Sequence, residues 1–265
     1  MPKIITIDDS NYQQYLSAPS GQGMGLVPRD FSTHPQGYLG RIAEPFNLPL
    51  IPENEWDARI TEQEATKSSL QHWRDVGMFG ARIPSRDQNG KGYCWAHSTT
   101  SAMLLLRASM GLPYRDLSAY MVACIIKGYR DEGGWNSESL KFIVENGVAT
   151  SATWPQQSMS RSNDNPAMRA EAAQNKCTEW WDLSDNKATV KQQLATLLLL
   201  NVPVMIDLNW WGHSVCAVRL VRRDPFTIRQ LNSWGDGWSD HGMGDLVDSK
   251  AIPDGAAAPR VAMAA

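Results

Sequence analysis

Cys94 stands where a glycine-rich turn meets the most apolar helical run of the chain. Residues 88–98 read QNGKGYCWAHS, and residues 94–110 read CWAHSTTSAMLLLRASM. A buried structural thiol has no need of a helix start. A reactive one does, because the free N–H groups and dipole there stabilise a thiolate near neutral pH. A cysteine nucleophile also needs a base within hydrogen-bond reach and a third group to orient that base. The chain offers five histidines: His34, His72, His97, His213 and His241. His213 opens an expected strand in WWGHSVCAV, and Asn232 ends the next in LNSWGDGW. Side by side in a hairpin, the Asn232 amide can hold the His213 imidazole, with Cys94 arriving across a cleft from the helical half.

The elements that must position these residues fall into two halves. Residues 94–110 predict a buried helix stopped by Gly111 and Pro113; Ser118–Lys127, Ser137–Asn146 and Lys187–Leu200 predict three more. Residues 202–208, 213–221, 226–233 and 242–249 alternate as strands, with RRDP (222–225) turning the middle pair into a hairpin. Helices followed by antiparallel strands make an α+β protein with a cleft between lobes. Residues 156–176, rich in Ser, Asn and Gln, read as a surface excursion. Seven of the fifteen prolines lie in residues 1–52, where no helical or strand period survives, and this stretch reads as an extended arm. A polar helical stretch from Pro52 to about Val76 leads into the body. The AIPDGAAAPRVAMAA tail (251–265) reads as mobile. The organisation expected is therefore an arm (1–67), a catalytic domain (68–250) and a tail (251–265).

Composition excludes several classes. With 42% hydrophobic and 20% charged residues and a net charge of −3, the chain has the make-up of a globular protein. Nothing in that balance points to nucleic acid or an anionic membrane as partner. The start MPKIITIDDSNY lacks a basic region followed by an apolar stretch, so no signal peptide is expected. The run LATLLLLNVPVMI is too short to span a bilayer. The other cysteines, Cys124, Cys177 and Cys216, read as core thiols, a usage that fits a reducing, cytoplasmic or virion-associated setting.

Taken together, these segments resemble the papain-like cysteine peptidases, whose Cys, His, Asn order they share. Gln88 precedes Cys94 by six residues, Gly92 keeps the turn and Trp95 follows the nucleophile. WRDVGMFGARIPSRDQ (73–88), DEGGW (131–135), GHSVCAV and NSWGDGWSDHGMG are each similar to a family segment, in family order, over about residues 72–249. The resemblance implies a two-lobe fold, with a central helix bearing Cys94 and an antiparallel β-barrel-like lobe bearing His213 and Asn232. It implies Cys94 as nucleophile, His213 as base and then acid, Asn232 as its orienting group, and Trp234 as a shield over their bond. The Gln88 side chain and the Cys94 N–H would form the oxyanion hole. Gly133 and Gly134 would pair with the substrate backbone, and Trp135, Trp211 and Gly212 would line the substrate site. The activity implied is peptide-bond hydrolysis through an acyl-enzyme, on a peptide or protein substrate, with no cofactor and no metal.

Departures from the family pattern bear on the cleft. Lys91 stands where a disulfide cysteine is usual, Tyr93 replaces a small residue and is expected to narrow the cleft, and His97 replaces an aromatic. His213 follows Cys94 by 119 residues, short of the family's roughly 130, because only NWWG joins the preceding strand to it. Cys94-x-x-His97 with His213-x-x-Cys216 mimics a zinc set, but residues three apart on a strand face opposite ways. Two rival functions use the same sequence. A structural or assembly component, such as a virion protein, would put the weight on the proline-rich arm. A thiol transamidase or deamidase would use the same catalytic residues. Phe31, Tyr38, Phe46 and Leu48 have little reason to occur in a solvated arm, so the arm is expected to lie on the body and restrict access to Cys94.

Overall fold

The structure is a computed structural model that describes residues 4–37, 43–76 and 82–260, with the side chains of 43–45 left aside. Tyr38 lies outside the described residues. Two short strands come first, β1 (Ile5–Ile7) and β2 (Ala43–Pro45). Six helices follow: α1 (Trp56–Thr66), α2 (Leu70–Val76), α3 (Cys94–Ser109), α4 (Ala119–Ile126), α5 (Asn136–Asn146) and α6 (Pro166–Ala172). Then come β3 (Trp180–Asp182), α7 (Lys187–Leu199), β4 (Val204–Leu208), β5 (His213–Arg222), β6 (Thr227–Leu231), β7 (Met243–Val247) and β8 (Gly255–Pro259).

Helix α3 begins where its sequence predicts. Asn89 and Gly90 take left-handed conformations (φ +50° and +72°), and Asp87 accepts the Asn89 N–H at 2.7 Å, closing a tight turn before Cys94. The helix is buried along almost its whole length. Its hydroxyls are satisfied locally, Ser98 and Thr99 bonding to the Trp95 carbonyl and Thr100 to that of Ala96, so polar side chains are tolerated in the core. Ser118 caps α4 by accepting from the Met121 N–H, and Asn186 caps α7 by accepting from the Ala188 and Thr189 N–H groups.

The strands form one eight-stranded sheet in the order β1-β7-β6-β5-β4-β8-β3-β2. It is open among the described residues, so the expected barrel-like closure is not formed. It is also mixed: β1 runs parallel to β7 and β2 parallel to β3, while the interior pairs are antiparallel. Both parallel strands come from the stretch in which the sequence shows no strand period, because three-residue edge strands are too short to display one. The tail is corrected as well. Residues 255–259 form β8, buried at every position between β4 and β3, where small alanines let α3 and α5 pack close. The 156–176 excursion contains α6, with Met168 and Ala172 buried.

Two apolar clusters flank the sheet. One gathers α3, α4 and α5 with Trp154 and Trp180; the other gathers α7 and the outer sheet face with Ile7, Ile51, Trp56 and Ile60.

Candidate active site

Cys94 begins α3, and His213 begins β5 across from it. Ser98, one helical turn on from Cys94, meets Ser214, the neighbour of His213, at Oγ···Oγ 2.9 Å. This contact ties the helix start to the strand start. His213 Nε2 lies 2.7 Å from Asn232 Oδ1. The same oxygen accepts the Ser233 backbone N–H at 2.7 Å, so Asn232 presents its carbonyl and Nε2 carries the proton. His213 Nδ1 is then the lone-pair nitrogen, buried and without a protein hydrogen-bond partner. The Trp234 and Trp211 rings stand 4.8 and 5.0 Å from the imidazole and keep water from its bond to Asn232.

Gln88 is held by the segment just past β6. Its N–H donates to the Ser233 carbonyl at 2.9 Å, its Oε1 accepts from Ser233 Oγ at 2.6 Å, and Gly235 N donates to the Arg86 carbonyl at 3.0 Å. The loop before α3 is thereby sewn to the segment bearing Asn232. Gln88 Nε2 donates to the Lys91 carbonyl at 2.6 Å, which leaves its second N–H unassigned.

Residues 22–27 run along the cleft as a strap. Gly25 N and Leu26 N reach the Gly212 carbonyl at 3.3 and 3.1 Å. Val27 N donates to the Gly134 carbonyl and Gly134 N to the Gly25 carbonyl, each at 3.0 Å, so Leu26 and Gly134 form a parallel bridge. Trp234 Nε1 donates to the Gly23 carbonyl at 2.8 Å. The approach is as close as backbone allows: a Cβ on Gly25 would lie 2.3 Å from the Gly92 carbonyl oxygen, and one on Gly133 would lie 2.5 Å from the Gly25 oxygen. Beyond the strap, Arg29 makes a bidentate pair with Asp182 at 2.7 and 2.8 Å, and His34 lies against Trp135 with ring centroids 5.2 Å apart.

Cys94 and His213 are fully buried. Burial pushes the thiol up to about 12, against the pull of the Ser214, Trp95 and Cys94 backbone groups, while the Asp207 charge adds to the rise. Burial pushes His213 down to about 4, opposed by its bond to Asn232. Burial thus favours the neutral form of both groups in this arrangement and works against the thiolate expected from the helix start.

The structure thus sets Cys94 beside the start of β5, packs His213 with Asn232, Trp211 and Trp234, ties Gln88 to Ser233, and places Gly133, Gly134 and Gly212 along the strap, with Trp135 against His34. Tyr93 is corrected: it points into the core, edge-on to Tyr120, with its hydroxyl on the Arg130 carbonyl at 2.8 Å, and does not narrow the cleft. His97 is buried edge-on to Tyr120, its pKa pushed down to about 3 chiefly by burial. Sequence reasoning missed the strap's pairing to Gly134 and Gly212, the Arg29–Asp182 clip, and the buried Asp207 on β4. GQGMG (21–25) was the available signal for close backbone approach.

A central helix bearing a cysteine, set against an open sheet with His at the start of β5 and Asn just past β6, defines a papain-like α+β fold. A profile of the papain family cysteine proteases matches residues 71–219, and the chain belongs to that family. Chymopapain of Carica papaya is 26% identical over 224 residues, covering 77% of this chain and 61% of its own length. The alignment therefore spans less than two-thirds of that relative. The fold is similar to that of digestive procathepsin L 3 of Tenebrio molitor larval midgut, with a TM-score of 0.62 at 16% identity, covering 95% of this chain and 79% of that one. It is similar also to xylellain, a cysteine protease from Xylella fastidiosa, with a TM-score of 0.61 at 14% identity, covering 92% and 98%. Among the described residues no helix is long and apolar enough to cross a membrane.

Proposed function

We propose that the protein is a thiol peptidase acting on peptide or protein substrates, held latent by the strap in the form described. The observation that carries this reading is the His213–Asn232 pair, with Nε2 protonated toward Asn232 and Nδ1 left with its lone pair, next to the Ser214 backbone that reaches Cys94. With the strap displaced and water admitted, Nδ1 takes the Cys94 proton and the thiolate attacks the substrate carbonyl. Gln88 Nε2 and the Cys94 N–H stabilise the tetrahedral oxyanion. The imidazolium returns its proton to the leaving amine, and water, deprotonated by His213, hydrolyses the acyl-enzyme. Gly134 and Gly212 bind the substrate main chain with the groups that now hold the strap.

The test is hydrolysis of a generic peptide library by the full chain and by Gly25→Val, whose branched side chain has no room against Gly92. Gly25→Val is expected to cleave and its Cys94→Ala derivative to be inert. Absence of cleavage by Gly25→Val with Cys94 freely alkylated would refute the peptidase reading.

A further inference from the structure

Only residues 209–212 join β4 to β5, a turn too short to support the His213 ring with its own backbone. Its indoles carry that task. The Trp211 ring stands 5.0 Å from the imidazole, and Trp210 stacks on Trp211 with centroids 5.4 Å apart and planes 9° from parallel. Neither indole N–H has a hydrogen-bond partner among the described residues, so packing alone fixes the two rings. What packs on Trp210 comes from the start of the chain. Strand β1 runs parallel to β7, with Ile7 opposite Leu246, so the residues that follow each strand leave the sheet at the same end. There Asp9 meets Lys250 at 3.2 Å and accepts from Ser249 Oγ at 2.5 Å. Lys250 Nζ lies 3.7 Å from the Tyr12 ring centroid and 5.6 Å from that of Trp210, and Tyr12 meets Trp210 edge-on at 5.9 Å. The contacts run unbroken from Lys250 through Tyr12, Trp210 and Trp211 to His213.

We propose that Tyr12 is a positioning residue for His213: seated by Lys250, it braces the Trp210–Trp211 stack against the imidazole, which makes residues 5–12 part of the working enzyme and not of the blocking segment. The inference rests on the peptidase reading and adds to it a residue that acts only through other side chains. In the strapped form the Gly212 carbonyl is fixed by the Gly25 and Leu26 N–H groups. A substrate that displaces the strap removes both bonds from the residue next to His213. The imidazole must then keep its Nε2–H on Asn232 while Nδ1 exchanges a proton, and a ring free to rotate loses that geometry. The brace is anchored elsewhere. Tyr12 and Lys250 hang on β1 and β7, whose pairing does not involve residues 22–27. The Lys250 side chain is only 13% exposed, so its charge acts on the two rings with little water between.

The test uses the full chain carrying Gly25→Val, with Tyr12→Ala or Tyr12→Phe added. Tyr12→Ala is expected to lower kcat on a peptidyl-coumarylamide by about tenfold with KM held within about twofold, and Tyr12→Phe, which keeps a ring on Trp210, to restore it. An unchanged kcat in Tyr12→Ala, or an equal loss in both variants, overturns the proposal. A second readout needs no turnover. In the full chain labelled with heavy nitrogen at histidine, long-range proton–nitrogen spectra are expected to show His213 as the Nε2–H tautomer. Tyr12→Ala should move that signal toward a mixture of tautomers while His72 and His241 keep theirs. A merely structural loss lowers Tm without singling out His213. If no variant cleaves peptide, the peptidase reading falls and the spectra alone decide the brace: a His213 signal unmoved by Tyr12→Ala overturns it, and a moved one supports it. Should Tyr12→Ala not fold, Lys250→Met, which leaves every ring in place, is put through the same two assays against the same outcomes.

Discussion

Asn232 Oδ1 accepts two N–H groups at 2.7 Å, from His213 and from the Ser233 backbone, and so decides which imidazole nitrogen keeps its lone pair. Ser233 also fixes the Gln88 amide through its hydroxyl. Gln88→Ala in a strap-displaced protein is expected to lower kcat and kcat/KM together by about a hundredfold, read by steady-state kinetics. A change confined to KM would show that Gln88 only binds substrate. Thiol reactivity gives a second check. With the Cys94 pKa raised to about 12, the thiol is protonated throughout the neutral range. Its alkylation in the strapped protein should therefore rise about tenfold per pH unit with no plateau below about pH 10, whereas Gly25→Val should plateau near neutrality. A wild-type plateau near neutrality, followed by intact mass, would contradict the buried neutral thiol. Cys94, His213, Asn232 and Gln88 were legible in the sequence because their types, order and flanking glycines leave few alternatives. Asp207 was not, since a single acid in VMIDL looks like an outward-facing strand residue until its neighbours bury it.

The strap is held by backbone hydrogen bonds to Gly134 and Gly212, and just beyond it a buried ion pair fastens the chain to the body. Arg29 and Asp182 have side chains only 4% and 1% exposed. Arg29→Ala leaves Asp182 buried with, among the described residues, the Gly37 N–H as its remaining side-chain partner, and is expected to cost about 3 kcal/mol by denaturant titration. Replacing both partners by apolar residues of similar size should cost much less, and equal losses would deny the pair its buried character. Helices α3, α4, α5 and α7 were readable from period and caps. The strap was not, because its bonds go to irregular partners and leave no period. Nor was β8, because alanine-rich composition suggests mobility where the fold instead exploits the small side chain.

The chain on both sides of the strap packs into the body of the molecule. Ile7, Ile51, Trp56 and Ile60 are buried in the cluster behind the sheet, and Trp56 Nε1 donates to the Ile51 carbonyl at 2.9 Å. Removing residues 1–67 would therefore strip β1, β2 and all of α1 along with the strap. Trp56→Ala alone is expected to cost about 3–5 kcal/mol, visible as a lower Tm without change in the Cys94 environment. A neutral outcome would make the stretch a peripheral arm after all. Phe46 against Trp181, and Leu48 in the same cluster, were the sequence's hint of this.

The strap is tied at one end by β1 to β7 and at the other by β2 to β3, near opposite edges of the sheet. A blocking segment fastened on both sides cannot diffuse away once released. It competes for its own cleft at an effective concentration of order millimolar, whatever the protein concentration. Dilution would then bring no activation and washing no relief. The fraction of open molecules becomes a property of a single chain, set by how a substrate's grip on Gly134 and Gly212 compares with that of residues 22–27.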